Sequence, residues 1–381
     1  MSLHVITYDS LQAMSELQNV WTRLQSHPDY DFEYYRTCAQ INPEFRPYVL
    51  ALQEDGEIKT LLIGSIRRRP IELRFGYMVF PSPNFSVLGL SYKAIFGNTN
   101  ELECSTLFDA LLKLLHEKKF DIISFGNLPL HSPFHDLALS KTPFSRRDHF
   151  RIRQETWQLT VPPSMDMYLS QHKNLRAYVK GYYANKLAKK FGSEINIMHY
   201  NSLDEMDVIL NDTERIAERS WQRKAGVGSF LANEIRRRYE FHARNNLLDV
   251  YILYIHGKPV CFSHGIKYNG VYYLEHLGYD PAYREYSVGS YLTVHMIKNV
   301  CDSKDIRIVD FGVGNSEAKR IFCDVRIDVE NTHVFGPALN LKAFNLMRTP
   351  LTGAHIAAKN LLKKGHLYQS LRKYFRQRGG R

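Results

Sequence analysis

The spacing of apolar and polar positions divides the chain into a regular series of elements. Leu11, Met14, Leu17, Val20, Trp21 and Leu24 recur at helical spacing and predict an amphipathic helix over 10–26, followed by a second over 31–41 that stops before Pro43. Residues 48–52 and 58–66 read as strands on either side of Glu54-Asp55-Gly56, a hairpin turn. Arg67-Arg68-Arg69-Pro70 closes the second strand, as a solvated strand end or as a grip for phosphate. A helix over 105–116 and a buried strand over 121–125 follow, whereas 80–100 shows no clear strand or turn. Residues 165–191 predict one long helix, with Leu175, Val179, Tyr183, Leu187 and Phe191 in an i+4 stripe among lysines.

The order then repeats. Strands over 249–255 and 260–268 flank His256-Gly257, matching the first hairpin, and a helix over 289–300 before Ile306–Gly312 (IRIVDFG) echoes the helix over 105–116 before DIISFG. Two units of like order predict a duplicated α/β module, the first of them degenerate.

The most informative stretch is 271–299, read as strand, turn and helix. Strict alternation puts Val271, Tyr273, Glu275, Leu277 and Tyr279 on one face and Tyr272, Leu274 and His276 on the other. Pro281 ends the strand, and Ser287-Val288-Gly289-Ser290 opens the helix, where uncovered amides and the helix dipole favour an anion and Arg284 adds charge. Glu275 is the leading candidate for a general base, because a carboxylate in an aromatic strand is desolvated and its pKa rises; the alternative is a buried ion pair with a lysine. Trp221, in the polar loop SWQRKAGVG, either packs on a substrate or anchors the core. The segment Gly312-Val313-Gly314-Asn315 lacks the third glycine and the βαβ setting of a dinucleotide loop.

Composition narrows the field. The chain has 381 residues, 44% of them hydrophobic, and no apolar run long enough to span a bilayer. Its first ten residues lack the basic flank and apolar core of a signal peptide, and five cysteines (Cys38, Cys104, Cys261, Cys301, Cys323) lack CxxC spacing, so a cytoplasmic protein with reduced thiols and no metal is expected. His131 and His135 stand four apart, but Pro133 between them argues against a helical metal pair. The net charge of +11 is concentrated in 172–191 and 353–381, neither of which holds an acidic residue, and the remainder is slightly acidic. Such confinement argues against DNA binding and for local contact with phosphates or an anionic membrane. The stretch 353–381 either lies on that membrane or packs on the second module with its basic face in water.

The blocks LYIHGKPV, YYLEHLGYDPAYREYSVGSYL and VDFGVGNSEAKRIF, with the lysine-rich helix near Asn174-Leu175-Arg176, resemble the GNAT-like acyltransferases of the BioF2-like and CelD-like type, relatives of the Fem aminoacyl transferases. The resemblance implies an α/β (α+β) fold of tandem GNAT-like modules, each a mixed, mainly antiparallel sheet flanked by helices. The expected division is 1–160, 161–345 and a basic C-terminal helix over 346–381. It also implies that Arg284, Tyr286, Ser287, Val288, Gly289, Ser290 and Tyr291 hold the pyrophosphate of acyl-coenzyme A, a donor substrate rather than a bound cofactor. Asp310 would orient the acceptor or assist Glu275. Lys319 matches the lysine after the glycines and would hold an acceptor anion or steady the oxyanion, unless it is only a surface charge. Trp221, Tyr273 and Tyr279 would line the acceptor, an amino group on a sugar or nucleotide-sugar for the cell envelope. Aminoacyl-tRNA as donor, with 172–191 as the tRNA surface, and an inactive carbohydrate-binding module are the alternatives.

Overall fold

The computed structural model describes residues 3–75, 78–97, 99–149, 151–172, 175, 182–220, 223 and 228–364. In chain order the strands are β1 (Leu3–Tyr8), β2 (Arg46–Glu54), β3 (Glu57–Pro70), β4 (Leu73–Phe75), β5 (Met78–Phe80), β6 (Asn84–Gly97), β7 (Ile122–Pro129), β8 (Ile152–Thr160), β9 (Ile195–Tyr200), β10 (Leu248–Ile255), β11 (Lys258–Tyr268), β12 (Val271–Tyr279), β13 (Ile308–Val313) and β14 (Val325–Phe335). The helices are α1 (Leu11–Ser15), α2 (Gln18–Leu24), α3 (Phe32–Ile41), α4 (Glu101–His116), α5 (Pro133–Ser140), α6 (Met165–Gln171), α7 (Tyr182–Phe191), α8 (Met206–Arg219), α9 (Asn233–Arg244), α10 (Val288–Ser303), α11 (Glu317–Phe322) and α12 (Leu339–Lys364).

Two compact units result: Met1–Gln154 with Asp328–Arg381, and Glu155–Ile327. In the first, the strands lie in the order β1-β2-β3-β6-β7-β14, antiparallel except for β6 beside β7. The second has β9-β10-β11-β12-β13-β8, antiparallel except for β12 beside β13. Position for position these are the same mixed sheet, so the duplicated hairpin, helix and strand expected from the sequence are present in both. The first unit, however, takes its last strand, β14, from the far end of the chain, whereas β8 opens the stretch that forms the second. The expected boundaries at 160 and 345 therefore differ from the structure, because β8 completes the second unit and β14 with α12 completes the first. Hydrophobic spacing cannot show this, since an inner strand looks the same whichever sheet it joins.

Both hairpins turn in the same way. Asp55 and Gly56, and again His256 and Gly257, all have positive φ, as a two-residue loop matched to strand twist requires. In the first unit α4 packs Leu107, Phe108 and Leu111 on Leu50, Leu62 and Phe125, while α1 to α3 cover the opposite face at Val49, Ala51 and Leu61. In the second, α10 packs Leu292, Met296 and Val300 on Tyr251, Tyr272 and Val309, and α8 and α9 cover Val250, Ile252 and Phe262.

Several elements depart from expectation. The helix over 10–26 is two helices. The stretch 80–100 holds β6, buried on both faces and irregular in register between Leu90 and Ile95, so it offers no clean alternation. Arg67 to Arg69 lie inside β3 rather than beyond its end. The helix over 165–191 stops at Gln171, where His172 leaves helical geometry, and a separate α7 begins at Tyr182. Val179 lies outside the described residues. The C-terminal helix starts at Leu339, well before 346, because Leu341 and Phe344 belong to the core of the first unit; 365–381 lie outside the described residues. His131 has positive φ and precedes α5, and His135 contacts Glu330 and Asp136. No described helix is long and apolar enough to cross a membrane.

Gly265 shows how tightly the second sheet is closed. A Cβ there would lie 2.1 Å from the Tyr272 ring, which is fully buried and crosses over it. Gly265→Ala is expected to destabilise the protein by about 1–3 kcal/mol, as overpacking does, measured as a drop in the urea midpoint; an unchanged midpoint would show that the ring moves freely.

Candidate functional site

The site begins where β12 and β13 part. Their parallel pairing consists of Val271 with Ile308, Tyr272 with Val309 and Tyr273 with Asp310. On its other side β12 pairs His276 with His264 and Leu274 with Gly265, leaving Glu275 as an extra residue, a β-bulge. The bulge overturns the strict alternation. His276 joins Tyr273 on the face covered by α8 and α9, whereas Leu277 and Tyr279 join Leu274 on the face covered by α10. Tyr273 and Tyr279, both expected at the acceptor, therefore lie on opposite faces.

Glu275 is ion-paired with the Arg238 guanidinium of α9, so a cation, though an arginine rather than a lysine, meets the carboxylate. Beside it lies a buried polar chain absent from the sequence reading: Tyr239 Oη is 2.6 Å from His264 Nδ1, and Thr213 Oγ1 is 2.8 Å from His264 Nε2. Burial, with His276 nearby, pushes the His264 pKa far below its ordinary value, so the imidazole is neutral and one hydroxyl donates to it while the other accepts. Burial and then Arg238 bring His276 down to about 4. Thr213, Arg238, Tyr239 and His264 come from three elements, and no local motif marks them.

At the start of β13's free stretch, Asp310 is buried; its Oδ1 accepts from Gly312 N at 2.7 Å and its Oδ2 from Gln158 Nε2 at 3.4 Å. Lys319 is not a plain surface charge. Its Nζ donates to Gly312 O at 2.9 Å and Val313 O at 3.0 Å, and burial lowers its pKa against the opposing pull of Cys323 and Asp310. The structure thus gathers Asp310 and Lys319 around Gly312.

The donor turn follows β12. Asp280 caps Pro281–Tyr286, a 3-10 turn, through Ala282 N at 3.0 Å and is held by Arg219 at 3.1 Å. Ser287 takes a left-handed conformation and its carbonyl accepts from Tyr291 N at 3.0 Å, so the amides of Val288, Gly289 and Ser290 precede the first intrahelical bond. Val288's side chain is fully buried, so it can serve the turn only through its backbone. Arg284 is exposed, with no ion pair among the described residues. Tyr286 is packed beneath α7, with Phe191 5.0 Å and Lys186 Nζ 5.2 Å from its ring, while Lys186 also bridges Glu285 at 2.9 Å. A Cβ built on Gly289 would lie 3.5 Å from the Tyr279 ring. Trp221 lies outside the described residues.

Residues 182–320 match the family model described as acetyltransferase (GNAT) domain. The chain carries a GNAT-type acyltransferase domain. The match spans α7 to most of α11, the stretch that builds the bulge, the donor turn and Asp310. No curated protein matches the sequence. Among solved structures the GNAT-like fold is similar to that of FemX (TM-score 0.57, 10% identity, covering 90% of this chain and 100% of that one). A conserved protein of unknown function from Bacteroides thetaiotaomicron VPI-5482 is also similar (0.52, 11%, 87% and 100%). So is the C-terminal domain of a putative lysylphosphatidylglycerol synthetase from Agrobacterium fabrum (0.51, 10%, 90% and 97%). At such identities the likeness is one of fold, and it extends over both units, a tandem GNAT-like architecture.

Folding keeps His276 neutral, with a folded pKa of about 4 against roughly 6.5 for free histidine. Its contribution to stability is complete above the unfolded value and is lost as pH falls toward 4. Urea stability of the wild type is expected to drop more between about pH 7 and pH 5 than that of His276→Gln; equal drops would show that His276 does not contribute.

Proposed function

We propose that the second unit transfers an acyl group, acetyl in the first instance, from acyl-coenzyme A to an amino group of a sugar or nucleotide-sugar. The observation that carries the donor is the turn from Arg284 to Tyr291: three helix-start amides and an exposed guanidinium, directly after a strand that has parted from its neighbour, inside the matched GNAT stretch. Pyrophosphate oxygens are the natural partners of such amides.

The acceptor amine must lose a proton before it attacks the thioester carbonyl. Glu275, at the bulge, takes that proton directly or through water, and Arg238 holds the carboxylate in place. Collapse of the tetrahedral intermediate breaks the C–S bond and releases the coenzyme A thiol, which leaves with a proton. Asp310 positions the acceptor, and Lys319 holds the Gly312–Val313 carbonyls that shape the free end of β13. The acceptor is an amino sugar by virtue of the polar and aromatic groups about the opening, among them Tyr273. Acceptors of this kind belong to the cell interior or the inner membrane surface.

A second donor, aminoacyl-tRNA, is favoured by the basic surface of α7, where Lys189 and Lys190 are exposed and no acid occurs in the helix. Binding through that face would fall steeply with salt.

Titration calorimetry with acetyl-coenzyme A and desulfo-coenzyme A separates the donors. Both are expected to bind the wild type and to lose binding in Gly289→Glu, whose Cβ would make only ordinary contact with Tyr279; an unchanged thermal midpoint shows that charge and not unfolding is tested. Failure of either to bind would discard coenzyme A and leave charged tRNA. With the donor established, Glu275→Gln is expected to lower kcat by about 10²-fold with desulfo-coenzyme A affinity retained. An undiminished kcat would remove Glu275 as the base. If Glu275 and Lys319 exchanged together for Ala left sugar affinity intact and the wild type showed no turnover, the unit would be a binding module.

A further inference from the structure

The first unit contains a cavity of about 460 Å³ that the transferase reading does not use. It opens where β7 and β14 fall out of register between Glu330 and Thr332, with Asn127 in left-handed geometry and its N–H held by Asn331 Oδ1 at 2.7 Å. A bulge of this kind parts two strands and re-aims their side chains. The volume lies within the usual range for small-molecule sites.

Its walls are rich in donors. Arg348, on α12, is 8% exposed; its Nη1 donates to Asp148 Oδ1 at 2.8 Å, and its buried Nε has no partner. The Arg69 guanidinium donates to Ser124 Oγ at 3.2 Å and meets no carboxylate among the described residues. His333 Nδ1 is likewise buried without a partner. Burial holds this imidazole at about 4, so it is neutral near pH 7. Of the two acidic groups lining the cavity, Asp148 is neutralised by Arg348 and Glu72 is exposed. Buried donors left unpaired are costly unless something accepts from them, and an uncompensated guanidinium selects an anion.

The corresponding position in the second unit sharpens the contrast. Phe125-Gly126 of β7 matches Phe311-Gly312 of β13, so Ser124 stands where Asp310 stands there. A hydroxyl under a guanidinium replaces a buried carboxylate beside a lysine. The first unit therefore has the means to hold an oxyanion and lacks the buried carboxylate that the second unit carries at this position.

We propose that this cavity, through Arg69, Ser124, Asn331, His333 and Arg348, binds the oxyanion of a small polar molecule of about monosaccharide size, a phosphate ester or a carboxylate. The site is independent of the donor and chemistry assigned to the second unit. It is read by calorimetry on the full chain with glucose 6-phosphate, glucuronate and glucose, without coenzyme A. Saturable binding of one or both anionic probes, with glucose weaker by at least about tenfold, is expected. Preference between the two anions tells phosphate from carboxylate.

Two variants test the residues while sparing the buried Arg348–Asp148 pair. Arg69→Ala should weaken anion binding by about tenfold or more. Asn331→Asp keeps the acceptor for Asn127 N and adds a repelling charge, and should do the same. Unchanged thermal midpoints exclude unfolding as the cause. Binding of glucose as tight as the anions, anion binding unaltered in both variants, or no saturable binding into the millimolar range would each overturn the proposal.

Discussion

Everything at the candidate active site depends on how little of β12 pairs with β13. The parallel ladder ends at Tyr273 and Asp310, and the extra residue at Glu275 bends β12 away over the next turn of strand. A parallel pair carried to full length would leave no opening, and the backbone groups released by the parting are the ones that a ligand or water can reach. The same bulge brings His276 onto the face with His264 and Tyr273, sets Glu275 against Arg238, and leaves Tyr279 beneath Gly289 at the donor turn.

The second constraint is connectivity. The six strands of the second sheet come from one contiguous stretch that β8 opens, but the first sheet is completed by β14, which its N-terminal stretch does not provide. In the first unit β14 delivers Asn331 and His333, and α12 delivers Arg348, so every wall of the donor-rich cavity except those from β3 and the two residues after it, β7 and the loop at Asp148 arrives from the far end of the chain. Such non-local closure pays its loop entropy before the contacts repay it.

The two units use one scaffold with different electrostatics. In both, buried carboxylates are matched to cations, Asp249 to Lys267 and His199 in the second and Glu330 to Arg151 and Arg153 in the first. The difference lies at one strand end, where the first unit sets Ser124 under Arg69 and the second has Asp310. Duplication preserved the strand order and the turn chemistry at Gly56 and Gly257, and let the polar residues at the sheet ends diverge.

The sequence by itself determined the local elements whose physics is local: the positive-φ hairpins at Asp55-Gly56 and His256-Gly257, helices α3 and α10, the duplication, and the turn from Arg284 to Tyr291. Its motifs also carried the family resemblance. Only the tertiary structure decided which strand closes which sheet, because pairing partners lie far apart in sequence and an apolar strand suits either. It also decided that Glu275 sits in a bulge, since one extra residue is invisible until the neighbouring register is known. The partners Arg238, Tyr239 and Thr213, and the cavity at Arg69 and Arg348, follow from the same cause: side chains from separate elements meet only after the sheets have formed.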